Sequence, residues 1–121
     1  MLPHDQLTAM LTAADLFICP SIYEPLGIVN LEAMGCETAV LGSRVGGIPE
    51  VVADKETGEL VDYNGEAAPF EKALTESITR LMSQPDLLKK YGAAGRVRAQ
   101  KLFGWDAVAA LTVDLYRRVI A

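Results

Sequence analysis

Two glutamates, Glu24 and Glu32, stand eight positions apart with Gly27 between them, in the segment Glu-Pro-Leu-Gly-Ile-Val-Asn-Leu-Glu. The first amides of a helix that opens near Gly27 have no internal partners and carry partial positive charge. The N–H groups of Gly27, Ile28 and Val29 therefore make a seat for a phosphate. Gly27 has no side chain to hold a ligand off. Glu32, five residues on, lies about 7 Å along the helix at about 1.5 Å per residue, in reach of a second part of the same ligand such as a ribose diol. Glu24 stays on the loop above the helix start, so the two carboxylates face groups on either side of the phosphate. As a bare spacing the pair carries little weight, because helices are full of glutamate, and the bland reading makes Glu32 a solvated helix residue and Glu24 a loop charge. Its place between a strand and a helix gives it meaning, since ligands of open parallel sheets gather at the carboxyl ends of strands.

The elements that must position these residues follow from residue pattern. Leu16, Phe17, Ile18 and Cys19 form an unbroken apolar run suited to a strand buried on both faces of a parallel sheet. Pro20 and Pro25 bracket the loop after it, and Ile28, Leu31, Met34 and Gly35 recur at helical spacing over about 27–35. Ala39 to Gly42 reads as a second strand. Gly46-Gly47 reads either as a point of close backbone approach to a ligand or as a tight turn before a short helix. Glu59 to Asp62 reads as a third strand, entered through Gly58. A helix over about 5–14 carries Leu7, Met10, Leu11 and Ala14 on one stripe. Beyond the third strand the pattern is helical throughout: Phe70, Leu74, Ile78 and Leu81 up to Pro85, then Leu88, Tyr91, Gly95, Ala99 and Leu102 up to Gly104. Trp105, Val108, Thr112, Leu115 and Val119 form a last stripe, with Arg117 and Arg118 in its final turn, where cations complement the helix dipole. The aromatic residues of these stripes are expected in the core.

Composition bounds the function classes. The 121 residues are 50% hydrophobic and 22% charged, ordinary globular usage for one domain or less. A net charge of −5 argues against nonspecific nucleic-acid binding, and it leaves the anion seat with Arg44 as its one evident basic neighbour. Cys19 and Cys36 read as small core residues of a reducing compartment rather than a disulfide. His4, near the terminus, reads as a solvated residue. No secretory signal, membrane-spanning run or metal-ligand spacing is visible, so a cytoplasmic protein without a metal or other cofactor is expected.

The stretch Pro20-Ser-Ile-Tyr-Glu-Pro-Leu-Gly-Ile-Val-Asn-Leu-Glu-Ala-Met34, followed by Ser43-Arg-Val-Gly-Gly-Ile-Pro-Glu-Val-Val52 and Thr57-Gly-Glu-Leu-Val61, strongly resembles the family-four retaining glycosyltransferases of the GT-B fold. Within that family it looks most like bacterial glycogen synthases, which elongate α-1,4-glucan from a nucleotide diphosphate glucose. The resemblance covers nearly the whole chain. It implies that Glu24 contacts the donor sugar near the reacting carbon, that Leu26 and Gly27 lie against that sugar, that the amides of Ile28 and Val29 hold the distal phosphate, and that Glu32 accepts hydrogen bonds from the ribose hydroxyls. The chain departs from the family at Glu37, often Gly, and at Ala39, usually Pro; both lie at the exit from the helix.

The resemblance further implies an α/β fold, the C-terminal half of a Rossmann-like GT-B donor domain. About three parallel strands would have flanking helices and a helical tail, with residues 1–121 as one partial nucleotide-sugar-binding domain. By analogy the acceptor domain and the first half of the donor domain are missing. With them go the basic residues that neutralise the diphosphate and a cleft histidine that His4 does not match. The donor is then ADP-glucose or UDP-glucose, the glucan acceptor is held by the missing domain, and the chain alone is catalytically silent. An open sheet edge invites self-association, and part of the Trp105 helix lacks its natural cover. Two other readings stand beside this one: a noncatalytic nucleotide-sugar or phosphate-binding domain, and a structural fragment without a ligand.

Overall fold

The computed structural model describes residues 2–121. Three strands, β1 (Leu16–Cys19), β2 (Ala39–Ser43) and β3 (Gly58–Val61), form one parallel sheet in the order β1-β2-β3. Leu16 lies opposite Ala39, and Val40 opposite Gly58. Around the sheet are α1 (His4–Ala13), α2 (Ile28–Gly35), α3 (Ile48–Val51), α4 (Ala67–Met82), α5 (Pro85–Phe103) and α6 (Trp105–Ile120). The expected elements are all present, with boundaries moved by a residue or so.

Alternation along β2 and β3 divides the core in two, because neighbouring side chains on a strand leave on opposite faces. Val40 and Leu60 join Leu11, Ala33, Met34, Ile48, Val51 and Val52 on the face covered by α1, α2 and α3. Ala39, Leu41 and Val61 join Phe70, Leu81, Leu88 and Tyr91 on the face covered by α4. Helix α5 serves both, giving Tyr91 to one core and Ala99 to the other. Strand β1 is an edge, and Leu16, Phe17 and Ile18 are only half-buried there. The expected burial on both faces holds for Cys19 alone in that strand.

Helix α5 can cross the α2–β2 turn only because it carries glycine at the crossing: a Cβ on Gly92 would fall 1.9 Å from the Glu37 carbonyl oxygen. That turn closes α2 with two bonds, Glu37 N–H to Met34 C=O and Thr38 N–H to Ala33 C=O, both 3.0 Å. They are the paired bonds of a left-handed helix stop. Glu37 supplies the left-handed residue itself, at φ 61°, where the resembling family often has glycine. Its compensation is an exposed ion pair to Arg96 at 3.4 Å, worth little.

Two expectations about burial are corrected. Trp105 is 88% exposed and no residue of α6 is buried: the lack of cover expected for part of this helix extends along its whole apolar stripe, and its contact with α5 buries none of it. Cys36 is half-buried rather than core, facing the Thr8 carbonyl at 3.9 Å.

One carboxylate is inside the fold. Glu59 on β3 is 3% exposed and is met by Arg80, by Lys55 Nζ at 2.8 Å and by the Ser77 hydroxyl at 3.1 Å. Burial pushes its carboxyl up, but the bonds from Arg80 and Lys55 outweigh this and hold it below the usual range.

Three outcomes are expected. Glu37→Gly relieves the left-handed strain and raises unfolding stability by about 0.5–1 kcal/mol in a denaturant titration, part of the relief being offset by glycine's greater chain entropy. Gly92→Ala drives a methyl into the Glu37 carbonyl and lowers stability by about 2 kcal/mol or more in the same assay. Because Glu59 has a lower pKa folded than unfolded, its contribution is complete above about pH 4.3 and is lost as pH falls through the folded-state value. The acid limb of a melting-temperature profile is therefore shallower for Glu59→Gln, and an identical limb would contradict the assignment.

Candidate functional site

The loops that leave the carboxyl ends of β1 and β2 lie on each other. Gly47 N–H donates to the Glu24 carbonyl at 3.0 Å. A Cβ on Gly46, itself left-handed at φ 51°, would fall 1.8 Å from that same carbonyl oxygen, and one on Gly47 would fall 2.4 Å from the Pro25 carbonyl oxygen. The double glycine thus lets one loop backbone rest on the other. The sequence offered approach to a ligand or a tight turn; the structure gives the turn before α3 and, in addition, a contact with the Glu24 loop. Below it, the buried Ser43 hydroxyl donates to the Ser21 carbonyl, fixing the start of the loop.

Held in this way, the loop turns into α2 through Gly27, the N-cap, at φ 85° and ψ 54°. Any side chain at that φ is strained. Gly27 N–H donates to Glu24 Oε1 at 3.1 Å, and the Gly27 carbonyl accepts from Asn30 N–H at 2.9 Å. The N–H groups of Ile28 and Val29 have no acceptor among the described residues. Glu24, Leu26, Gly27, Ile28 and Val29 therefore converge on one helix N-terminus, with the Ile28 side chain 64% exposed. The Glu24 carboxylate already occupies one of the three amides, in keeping with the positive polarity of a helix N-terminus.

Glu32 is placed elsewhere. It lies a helical turn further along α2, half-buried, and lines a groove of about 230 Å³ between α1 and α2 with His4, Leu7, Thr8, Leu11 and Cys36. Seat and groove are successive stations along one helix. His4 is exposed, as expected, yet belongs to this groove, which a lone terminal histidine gave no means of foreseeing.

Arg44 does not serve the seat in this arrangement. Its guanidinium is held by Asp54 Oδ2 at 2.6 Å and Asp62 Oδ1 at 2.7 Å, and these bonds raise its already high pKa. Burial pushes Asp54 up, but Arg44 and the Leu60 N–H hold it below the usual carboxylate range. Two carboxylates on one cation leave the cluster with net negative charge. The expectation of Arg44 as a basic neighbour is therefore corrected: its charge is already matched by the ends of β3 and the preceding turn.

A residue that sequence reasoning passed over lies under the seat. Asn30 is fully buried, and neither Nδ2 nor Oδ1 has a hydrogen-bond partner. The available signal was an amide at a position whose helical neighbours Ala33 and Met34 are core. Among the described residues no cluster of metal-ligating side chains occurs, and no helix is long and apolar enough to cross a membrane.

Three parallel strands flanked by helices, with the N-terminus of α2 at the carboxyl end of the sheet, are the α/β arrangement of GT-B glycosyltransferases, and comparison with known proteins agrees. Residues 1–98 match the glycosyl transferases group 1 family, and the chain belongs to that family. It is 51% identical over 122 residues to an alpha-maltose-1-phosphate synthase of Mycolicibacterium smegmatis, covering 100% of this chain and 32% of the relative. It is 38% identical over 121 residues to an MMP alpha-(1->4)-mannosyltransferase of Mycolicibacterium hassiacum, covering 99% of this chain and 28% of that one. Among solved structures, a sucrose-phosphate synthase from Thermosynechococcus elongatus superposes with a TM-score of 0.85 at 38% identity, over 99% of this chain and 29% of that one. The chain spans about a third of the length of these curated relatives. None of the relatives named here is a glycogen synthase, so the resemblance holds at the level of the family.

The seat depends on the glycine contact, and this gives a direct expectation. Gly46→Ala combines a left-handed alanine with a clash against the Glu24 carbonyl, costing about 2 kcal/mol or more. It also displaces the Gly27 amide resonance in a nitrogen-correlated NMR spectrum; an unmoved Gly27 signal would contradict the dependence.

Proposed function

We propose that the chain is the donor-binding part of a retaining glucosyltransferase that takes glucose from ADP-glucose or UDP-glucose. The observation that carries this reading is the α2 N-terminus. It offers the free amides of Ile28 and Val29, and it stands one turn before a half-buried carboxylate, Glu32, facing a separate groove. A diphosphate on the amides, a ribose at Glu32 and a sugar beside Glu24 fit that order along the helix. The phosphate gains from the unpaired amides and the helix dipole, an interaction of about 1 kcal/mol at an exposed helix end. Tight binding and stabilisation of the leaving diphosphate need cations beyond those of this seat, so the reaction belongs to the whole protein, and this chain alone is catalytically silent.

For the acceptor, a phosphorylated sugar is the better reading and an α-1,4-glucan the second. The relative at 51% identity is named for a sugar phosphate product, and so is the structural relative at 38% identity. The glucan reading rests on the motif resemblance to glycogen synthases. The open β1 edge further supports association between copies of the chain; light scattering that shows only monomer at high concentration would count against it.

Titration of the chain with ADP-glucose and UDP-glucose, followed by NMR, tests the donor reading. Shifts are expected at the Gly27, Ile28 and Val29 amides. Glu32→Ala should weaken binding about tenfold or more through loss of charge-assisted hydrogen bonds to the ribose. Shifts unaffected by Glu32→Ala would remove the ribose assignment. Measurable glucosyl transfer by the chain alone would overturn the expectation that it is silent.

A further inference from the structure

A fully buried carboxamide with both polar atoms unpartnered is rare in a folded protein, because each such atom has given up its bonds to water without replacement. Asn30 is in that position. Its surroundings say what it is for. A point just off the Gly27 Cα, where a Cβ would be, lies 2.5 Å from Asn30 Nδ2 and 3.4 Å from Glu24 Cγ. The amide donor and the stem of the glutamate thus flank the same spot beside the N-cap of α2, a helix of 8 residues.

Glu24 now spends its Oε1 on Gly27 N–H, one of the three amides of the seat. A phosphate that settles on the free Ile28 and Val29 amides stands next to that carboxylate and is repelled by it, and it can add the Gly27 amide only by displacing it. Filling all three amides therefore requires Glu24 to leave, and a carboxylate leaving a donor costs least where a second donor is waiting. We propose that Asn30 is a positioning residue for Glu24: when an anion takes Gly27 N–H, the displaced carboxylate accepts a hydrogen bond from Asn30 Nδ2. Glu24 is in this way the seat's internal occupant when it is empty and is held at its side when it is full. The inference rests on the anion seat of the proposed function but adds a residue and a movement to it. The open Nδ2 of Asn30 becomes the vacant half of a two-position switch, kept dry by Gly27 and Ile48, which also meets that spot at 3.5 Å.

The test uses inorganic pyrophosphate, which has no sugar or base, and follows backbone amides and the Asn30 side-chain NH₂ group by NMR. In the wild-type chain, Gly27, Ile28 and Val29 are expected to shift together with the Asn30 NH₂. In Glu24→Ala the backbone shifts remain, with pyrophosphate bound at least as tightly because the internal anion is gone, while the Asn30 NH₂ stays still. Asn30→Asp, which keeps the shape but replaces the donor with an acceptor, binds pyrophosphate several-fold more weakly. Asn30→Ser, a smaller variant that retains a donor, recovers part of that loss. Backbone shifts with a silent Asn30 NH₂, or an Asn30 NH₂ that moves equally in Glu24→Ala, would overturn the role of Asn30 and leave the seat intact. No shift at Gly27 to Val29 would remove the seat itself, and with it both readings.

Discussion

The site depends on a contact between two main chains. At the carboxyl ends of β1 and β2 the Gly46-Gly47 backbone lies on that of Glu24 to Leu26, at a distance no side chain allows. Side-chain packing leaves a loop free to adjust by rotamer changes, whereas backbone against backbone leaves little freedom. The carbonyl of Glu24 is fixed by Gly47 N–H, so its side chain starts from a defined point. The turn into α2 at Gly27 inherits that definition. The first amides of the helix are aimed by the sheet, through the loops, and not by the helix alone.

Electrostatics then works within a negative molecule. The chain carries a net charge of −5, and Arg44, at the end of β2, is shared by Asp54 and Asp62. An anion site in such a setting relies on oriented dipoles in place of net charge. Neutral amides attract a phosphate without attracting every other polyanion, which suits selectivity better than strength. The buried Glu59 is treated in the opposite way, with Arg80, Lys55 and Ser77 all brought to it. The fold matches the carboxylate it hides and leaves the ones near the seat lightly held.

Much of this was legible in the residues. Apolar runs at Leu16 to Cys19 and Ala39 to Gly42 named two strands, and helical spacing named α4 and α5, because both signals are local and periodic. The residues around Gly27 marked the start of α2, since a helix start has a local signature as well. What escaped depends on contacts between distant segments. Nothing near Gly46 says that Glu24 will be its neighbour, nothing near Arg44 says that Asp54 and Asp62 will claim it, and Asn30 differs from any helix asparagine only by what lies around it. The full extent of exposure along the Trp105 helix escaped for a related reason: an apolar stripe states that a face is suited to burial, not that a covering element is at hand.

Helix α6 contributes no buried residue, while Trp105, Leu111, Leu115, Tyr116, Val119 and Ile120 all stand largely in water. Both cores close without it. The folding of the sheet domain and its behaviour in solution are consequently set by different parts of the chain. A polypeptide ending at Phe103 keeps every core side chain and sheds a large share of the exposed apolar surface. Yield, solubility and crystallisability can then be tuned by changes in α6 that leave the geometry around Gly27 as it is.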